Sequence, residues 1–227
     1  PSTPPLPCRF TEPARELRAG FFHAEPVPRR RPAAGQVNAR SRKMRQRYVF
    51  LDRDDTLIVD KQYLREPAGI EFTPRALEGL QRLQAAGYGL VLVTNQSGIG
   101  RGLLTENDLA AVHARLRELL ARQGLALDAI YYCPHHPQDG CRCRKPATGM
   151  LEQACRDFAV DIAQSVMIGD SEADIRMGRA FGLATIQLRL DDSRPNHGAD
   201  YLAADLAEAA DWLLKRPPSP HGKHAEG

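Results

Sequence analysis

Residues 48–57 read YVFLDRDDTL. Four apolar residues, Tyr48 to Leu51, lead straight into three carboxylates, Asp52, Asp54 and Asp55, within four positions. A short apolar run of this kind reads as a buried strand. Like charges crowded at its end repel one another and are costly to desolvate, so the placement calls for a functional reason.

Working outward, similar runs recur at 89–95 (GLVLVTN), 128–133 (DAIYYC), 165–170 (SVMIGD) and 183–188 (LATIQL). Helical patterns alternate with them. Pro74 suits a first helical turn, with Leu77, Leu80 and Leu83 on one face and Gly87 as the stop. Thr105 is placed to cap a second helix, with Leu109, Val112, Leu116 and Leu119 on its stripe and Gly124 closing it. A third carries Leu151, Ala154, Cys155 and Phe158, and a fourth runs from Ser171 to near Gly182. Strands that are apolar throughout, rather than alternating, predict a parallel sheet covered on both faces. The expected fold is therefore α/β, a three-layer Rossmann-like domain over residues 48–215 with no large cap domain. In such sheets the ligand site lies at the carboxyl ends of the strands. Asp52, Thr94, Cys133 and Asp170 all fall on that rim.

Composition is that of an ordinary folded protein, 42% hydrophobic and 26% charged over 227 residues. The net charge of +3 is unevenly spread, because residues 1–47 alone hold 11 Lys/Arg against 3 Asp/Glu and 8 of the 17 prolines. Such a leader buries too little to offset its ordering entropy, so disorder is expected over 1–47 and again over 216–227. Met44 is a plausible start four residues before the first strand. The basic run RSRKMRQR reads as a solvated tail, with a nucleic-acid arm or lipid-surface patch as the other readings. Without the leader the domain is acidic, which disfavours nucleic acid. Neither a membrane helix nor a signal peptide is apparent. The cysteine pattern suits a reducing compartment, so a cytoplasmic monomer is expected.

Asp52, Asp54 and Asp170 together suit a hard divalent cation such as magnesium, which takes one or two carboxylates and substrate phosphate. In GDSEAD, the glycine is expected to permit a tight strand-to-helix turn, and Asp174 follows Asp170 by one helical turn, where it also suits the helix dipole. The glycine-rich TNQSGIGRG after Thr94 offers backbone N–H groups to an anion. Arg144 and Lys145, in CRKP, could hold a phosphoryl group. Cys133, His135, Cys141 and Cys143 form C-x-H-x5-C-x-C, four ligands for a closed structural zinc site. His136, Cys8 and Cys155 are left over as bystanders.

From Tyr48 to Leu188 these motifs, in this order, resemble the haloacid dehalogenase superfamily of phosphatases: DRDDT, Thr94, Lys145 and GDSEAD. The resemblance implies that Asp52 is the nucleophile forming an aspartyl-phosphate, and that Asp54 is the acid and then the base. It implies magnesium held by Asp52, the backbone carbonyl of Asp54 and Asp170, with Thr94 and Lys145 positioning the phosphoryl group. The zinc loop narrows the likeness to two subgroups, phosphatases of a heptose bisphosphate and of histidinol phosphate. VTNQSGIGRG, IYYCPHHP and KPATGM look more like the former, and by that similarity Asn95, Gln96, Ser97 and Arg144 would line a pocket for a small sugar phosphate. Asp55 stands where the family usually has glycine. Either its side chain points away and activity is retained, or its charge weakens the enzyme. A reading of another class is an inactive binding module built on the zinc loop.

Overall fold

The computed structural model describes residues 23–26, 46–189 and 195–216. In chain order the strands are β1 (His23–Pro26), β2 (Tyr48–Leu51), β3 (Gly89–Asn95), β4 (Ala129–Cys133), β5 (Val166–Gly169), β6 (Ala184–Leu188) and β7 (Tyr201–Ala203). The helices are α1 (Ala76–Ala85), α2 (Glu106–Arg122), α3 (Gly149–Asp157), α4 (Glu172–Phe181) and α5 (Leu206–Lys215). They build one sheet in the order β1-β4-β3-β2-β5-β6-β7, parallel at every pairing except β1 with β4.

β2 shows why the sheet needs helices on both sides. Val49 and Leu51 pack with α1, α2 and α5, whereas Tyr48 and Phe50 pack with α3 and α4. All four are at most 4% exposed. From β2 the chain winds first toward β3 and β4 and then back through β5 to β6 and β7. That reversal opens a crevice at the carboxyl ends of β2 and β5, where Asp52 and Asp170 stand.

Several local expectations need correction. The leader is not wholly without structure, since His23–Pro26 adds an antiparallel edge strand on β4; the remaining expectations for 1–45 and 217–227 lie outside the described residues. α1 begins at Ala76 rather than around Pro74, because Arg75 takes a left-handed φ of 54° just before it. On α2 the stripe ends on Leu120, 1% exposed, while Leu119 is only partly buried. Thr105 caps α2 as expected, accepting from Asp108 N at 3.1 Å. β7 and α5 were not foreseen; α5 covers the sheet beside α1 through Leu206, Ala209, Ala210 and Leu213. Among the described residues no helix is long and apolar enough to cross a membrane.

Candidate active site

A cavity of about 590 Å³ opens at the β2/β5 crevice. Its wall includes Asp52, Asp54, Thr94, Asn95, Gln96, Ser97, Lys145 and Asp170, eight residues drawn from the sequence pattern. Arg144 is not among the lining residues. Five carboxylates, those of Asp52, Asp54, Asp55, Asp60 and Asp170, face two cations, Arg53 and Lys145.

At the floor, Lys145 Nζ lies 2.7 Å from Asp52 Oδ1 and 2.6 Å from Asp174 Oδ1, and it donates to Val93 O at 3.0 Å. The ammonium is thereby held by two ion pairs and one hydrogen bond. Burial alone would lower the lysine pKa, but Asp174 and then Asp52 outweigh it and hold the group above its ordinary range. For Asp52, burial and then the charge of Asp174 push the carboxyl up to about 8 against the pull of Lys145. A crevice in which carboxylates outnumber cations, and one carboxylate is raised this far, has the donor set and the unmet charge that suit a divalent cation.

The close acidic cluster is Asp52, Asp170 and Asp174, whose ligand oxygens lie within 4.8 Å of one another. The Asp54 carboxylate is not in it. Arg53 Nε donates to Asp54 Oδ1 at 3.1 Å, Arg53 Nη2 to both its oxygens at 3.0 Å, and Gln96 Nε2 to Oδ2 at 3.0 Å. Any share of Asp54 in holding a metal would thus fall to its backbone carbonyl, the atom implied by the family likeness. Arg53, 1% exposed, also donates to Gln96 Oε1 at 3.0 Å, and its Nη1 lies 3.5 Å from His113 Nε2. Arg53 was missed in the sequence because an arginine between aspartates reads as local charge balance.

Two residues expected to face substrate serve the framework as well. Gln96 spans Arg53, Asp54 and Thr94, with its Nε2 donating to Thr94 Oγ1 at 2.8 Å. Asn95 clamps the backbone of Lys145, accepting from its N–H at 3.0 Å and donating to its carbonyl at 3.2 Å. The later part of the glycine-rich loop is not an open cradle of N–H groups, although its composition suggested one. From Ile99 to Leu104 every backbone N–H is spent on a nearby carbonyl, including Gly100 N on Pro134 O at 2.8 Å. Gly100 is needed because a Cβ there would strike the backbone of His135 and His136.

Gly169 likewise serves a different purpose from a turn. It lies within β5, and a Cβ on it would occupy the space taken by the Asp174 side chain. Asp174 is fully buried there, accepts from Ser171 N and Oγ at 3.1 and 2.6 Å to close the α4 capping box, and turns its other oxygen to Lys145. Asp55, the departure from the usual glycine, sits at φ 51°, a left-handed conformation that aspartate tolerates. Its side chain does not point away: it lines the cavity and accepts from Asp60 N at 3.0 Å.

Cys133, His135, Cys141 and Cys143 converge beside this site. His135 Nδ1 lies 3.1 Å from Cys143 Sγ and 3.6 Å from Cys133 Sγ, while Cys141 Sγ is 3.5 and 3.6 Å from Cys133 and Cys143. Ligands at about 2.3 Å around a tetrahedral zinc stand roughly 3.7 Å apart, so the four donors fit that ion. The loop reaches the floor through short links: Gln96 N donates to Cys133 O at 2.8 Å, and Asn95 pairs with Cys133 in the sheet while clamping Lys145.

Residues 142–209 match the family described as HAD-hydrolase-like. The chain is 43% identical over 181 residues to the D-glycero-beta-D-manno-heptose-1,7-bisphosphate 7-phosphatase of Photorhabdus laumondii, covering 74% of this chain and 96% of that one. The enzyme of the same name from Yersinia pestis is 38% identical over 173 residues, covering 73% and 88%. Among solved structures, D,D-heptose 1,7-bisphosphate phosphatase from B. bronchiseptica, complexed with magnesium and phosphate, superposes with a TM-score of 0.67 at 34% identity, covering 74% of this chain and 98% of that one.

Proposed function

The chain belongs to the D-glycero-D-manno-heptose-1,7-bisphosphate 7-phosphatase family of HAD-like hydrolases, and on that premise we propose that it removes the 7-phosphate of D-glycero-D-manno-heptose 1,7-bisphosphate with the aid of magnesium. The observation that carries this reading is the buried Lys145 ammonium, shared by Asp52 and Asp174 at the floor of a carboxylate-rich cavity. A phosphate entering alone would meet five carboxylates and two cations, so charge balance favours its arrival with a divalent ion.

In the proposed reaction Asp52 Oδ attacks phosphorus, the P–O bond to the sugar breaks, and Asp54 gives its proton to the leaving oxygen. Asp54 then takes a proton from water, which attacks the aspartyl-phosphate and releases inorganic phosphate and free Asp52. Lys145 offsets charge beside Asp52, and Thr94, oriented by Gln96 at 2.8 Å, offers its hydroxyl to a phosphoryl oxygen. Asp52, the Asp54 carbonyl and Asp170 would hold magnesium. When bound, that ion supplies positive charge to the transferring phosphoryl oxygens. Zinc on Cys133, His135, Cys141 and Cys143 would have a structural role, stiffening the loop from which Asn95 and Lys145 take their positions.

The test is phosphate release, with and without magnesium, from heptose 1,7-bisphosphate and histidinol phosphate side by side, with Asp52→Asn as control. Preference for the bisphosphate, abolished in the variant, is the expected result. Preference for histidinol phosphate would keep the chemistry and overturn the substrate. Cleavage of neither, with magnesium present, would overturn the enzymatic reading and favour a binding module.

A further inference from the structure

One polar side chain interrupts the apolar stripe by which α2 packs on the sheet. The buried residues of that helix are Leu109, Val112, His113, Leu116 and Leu120, and His113 is 0% exposed. An imidazole there gives the core nothing that another leucine would not, and its ring nitrogens must be satisfied out of water. What it faces is the back of the site. Arg53 grips Asp54 with one edge of its guanidinium, through Nε and Nη2, and Nη2 also reaches Gln96. Nη1 lies outside that edge, and His113 Nε2 stands 3.5 Å from it.

The chemistry of the pair fixes its direction. A guanidinium has five N–H donors and no acceptor. Nη1 can therefore hydrogen-bond to Nε2 only if that nitrogen carries no proton, which leaves the ring proton on Nδ1. The ring itself is held in place. Tyr132 of β4 meets it edge to face, with centroids 5.8 Å apart and 65° between the planes. Tyr132 in turn donates its hydroxyl to Glu106 at 2.5 Å and pairs with Thr94 in the sheet. The start of α2 is pinned by the reciprocal cap between Thr105 and Asp108. Helix and strand together thus bring one nitrogen to the part of Arg53 that Asp54 does not use. His113 is not among the residues lining the cavity, so it acts through Arg53 and not on substrate.

We propose that His113 is a positioning residue for proton transfer, its unprotonated Nε2 accepting from Arg53 Nη1 and so holding the guanidinium fork square on Asp54. This rests on the phosphatase reading, in which Asp54 carries the proton. At 3.5 Å the contact is at the long end of a hydrogen bond, so its loss should cost less than loss of the arginine itself.

The test uses the metal-loaded full chain with heptose 1,7-bisphosphate, or with histidinol phosphate should that be the better substrate. His113→Leu should lower kcat about tenfold and leave KM within about twofold. His113→Gln, whose amide oxygen can stand near the place of Nε2, should recover kcat to within about threefold of wild type. In an Arg53→Met background the nitrogen has nothing to hold, so adding His113→Leu should change kcat by less than about twofold. A packing role would persist there, and a further tenfold loss would overturn the proposal. So would an Arg53→Met variant that keeps full kcat. Nitrogen NMR of the chain labelled in histidine supplies a readout besides activity. The ring signal that vanishes in His113→Gln should report a proton on Nδ1 and a bare Nε2, and a proton found on Nε2 would refute the hydrogen bond. Wild-type protein that cleaves neither ester would instead overturn the phosphatase reading, and the positioning role with it.

Discussion

Replacing Arg53 with methionine separates the network behind Asp54 from the floor of the site. In the native chain the guanidinium donates to Asp54 at 3.0–3.1 Å and to Gln96 Oε1 at 3.0 Å, and it is 1% exposed. Methionine fills comparable space but cannot donate, so Asp54 keeps Gln96 Nε2 and Gln96 Oε1 loses the arginine donor. A closed ion pair broken on one side costs about 3–5 kcal/mol. The Asp54 side chain is 24% exposed, so water repairs part of the loss. A destabilisation of about 1–3 kcal/mol follows, or roughly 3–10 °C in melting temperature for a domain of this size. The effect on turnover should be larger in proportion. If Asp54 carries the proton, freeing its carboxylate by about 1 Å lowers kcat on the order of 100-fold. Arg53→Lys, which keeps the charge but loses the fork, should fall between the two. Phosphate release measured well below the melting temperature, beside thermal melts followed by circular dichroism, gives both numbers. A methionine variant that melts earlier yet keeps kcat within about twofold would refute the positioning role and leave Arg53 as scaffold only.

Three further outcomes are expected. Asp55→Asn preserves both the tolerance of φ 51° and an oxygen for Asp60 N, but removes one charge from the cavity, so KM for a phosphate ester should drop about threefold to tenfold with little change in melting temperature; an unchanged KM would mean that the charge is already neutralised. Elemental analysis should find one zinc per chain, and Cys141→Ser should lose it, melt earlier and become sensitive to proteolysis in the 134–143 loop; full zinc content in the variant would remove Cys141 from the ligand set. The third concerns pH: the Asp52 carboxyl, raised by burial and by Asp174 to about 8 from an ordinary 3.8, holds its proton in the ion-free fold across a range where the unfolded chain has lost it. Its contribution to stability is therefore complete below about pH 4 and lost as the pH rises toward 8. Melts in magnesium-free buffer, with zinc retained, should consequently fall further below melts in magnesium as pH increases from about 5 to about 8, and a gap that does not change with pH would contradict the assignment.

Local chemistry made much of this protein legible from its residues alone. The uninterrupted apolar runs fixed a parallel sheet with two covered faces, because a strand exposed on one side would have had to alternate, as Val49 and Leu51 against Tyr48 and Phe50 now illustrate. The placement of Asp52, Thr94 and Asp170 at strand ends brought them to one rim, since parallel strands in register carry their carboxyl ends to the same side. The zinc quartet was readable because its ligands are close in sequence and its chemistry admits few residue types. What only the tertiary structure decided are the partnerships between distant segments. Asp174 read as a helix-dipole residue until Lys145 was found against it, and Gly169 read as a turn residue until the Asp174 side chain was found in the space of its missing Cβ. Gln96 and Asn95 read as substrate contacts, and besides lining the cavity they hold Asp54 and the Lys145 backbone. Tyr63 carried no periodic signal at all, because its place in the cavity wall comes from a left-handed backbone and from packing at Gly98. Side-chain spacing reports on a neighbour one turn or one pleat away, whereas a buried ion pair or a vacated Cβ depends on which strands lie adjacent, and that is settled only when the sheet closes.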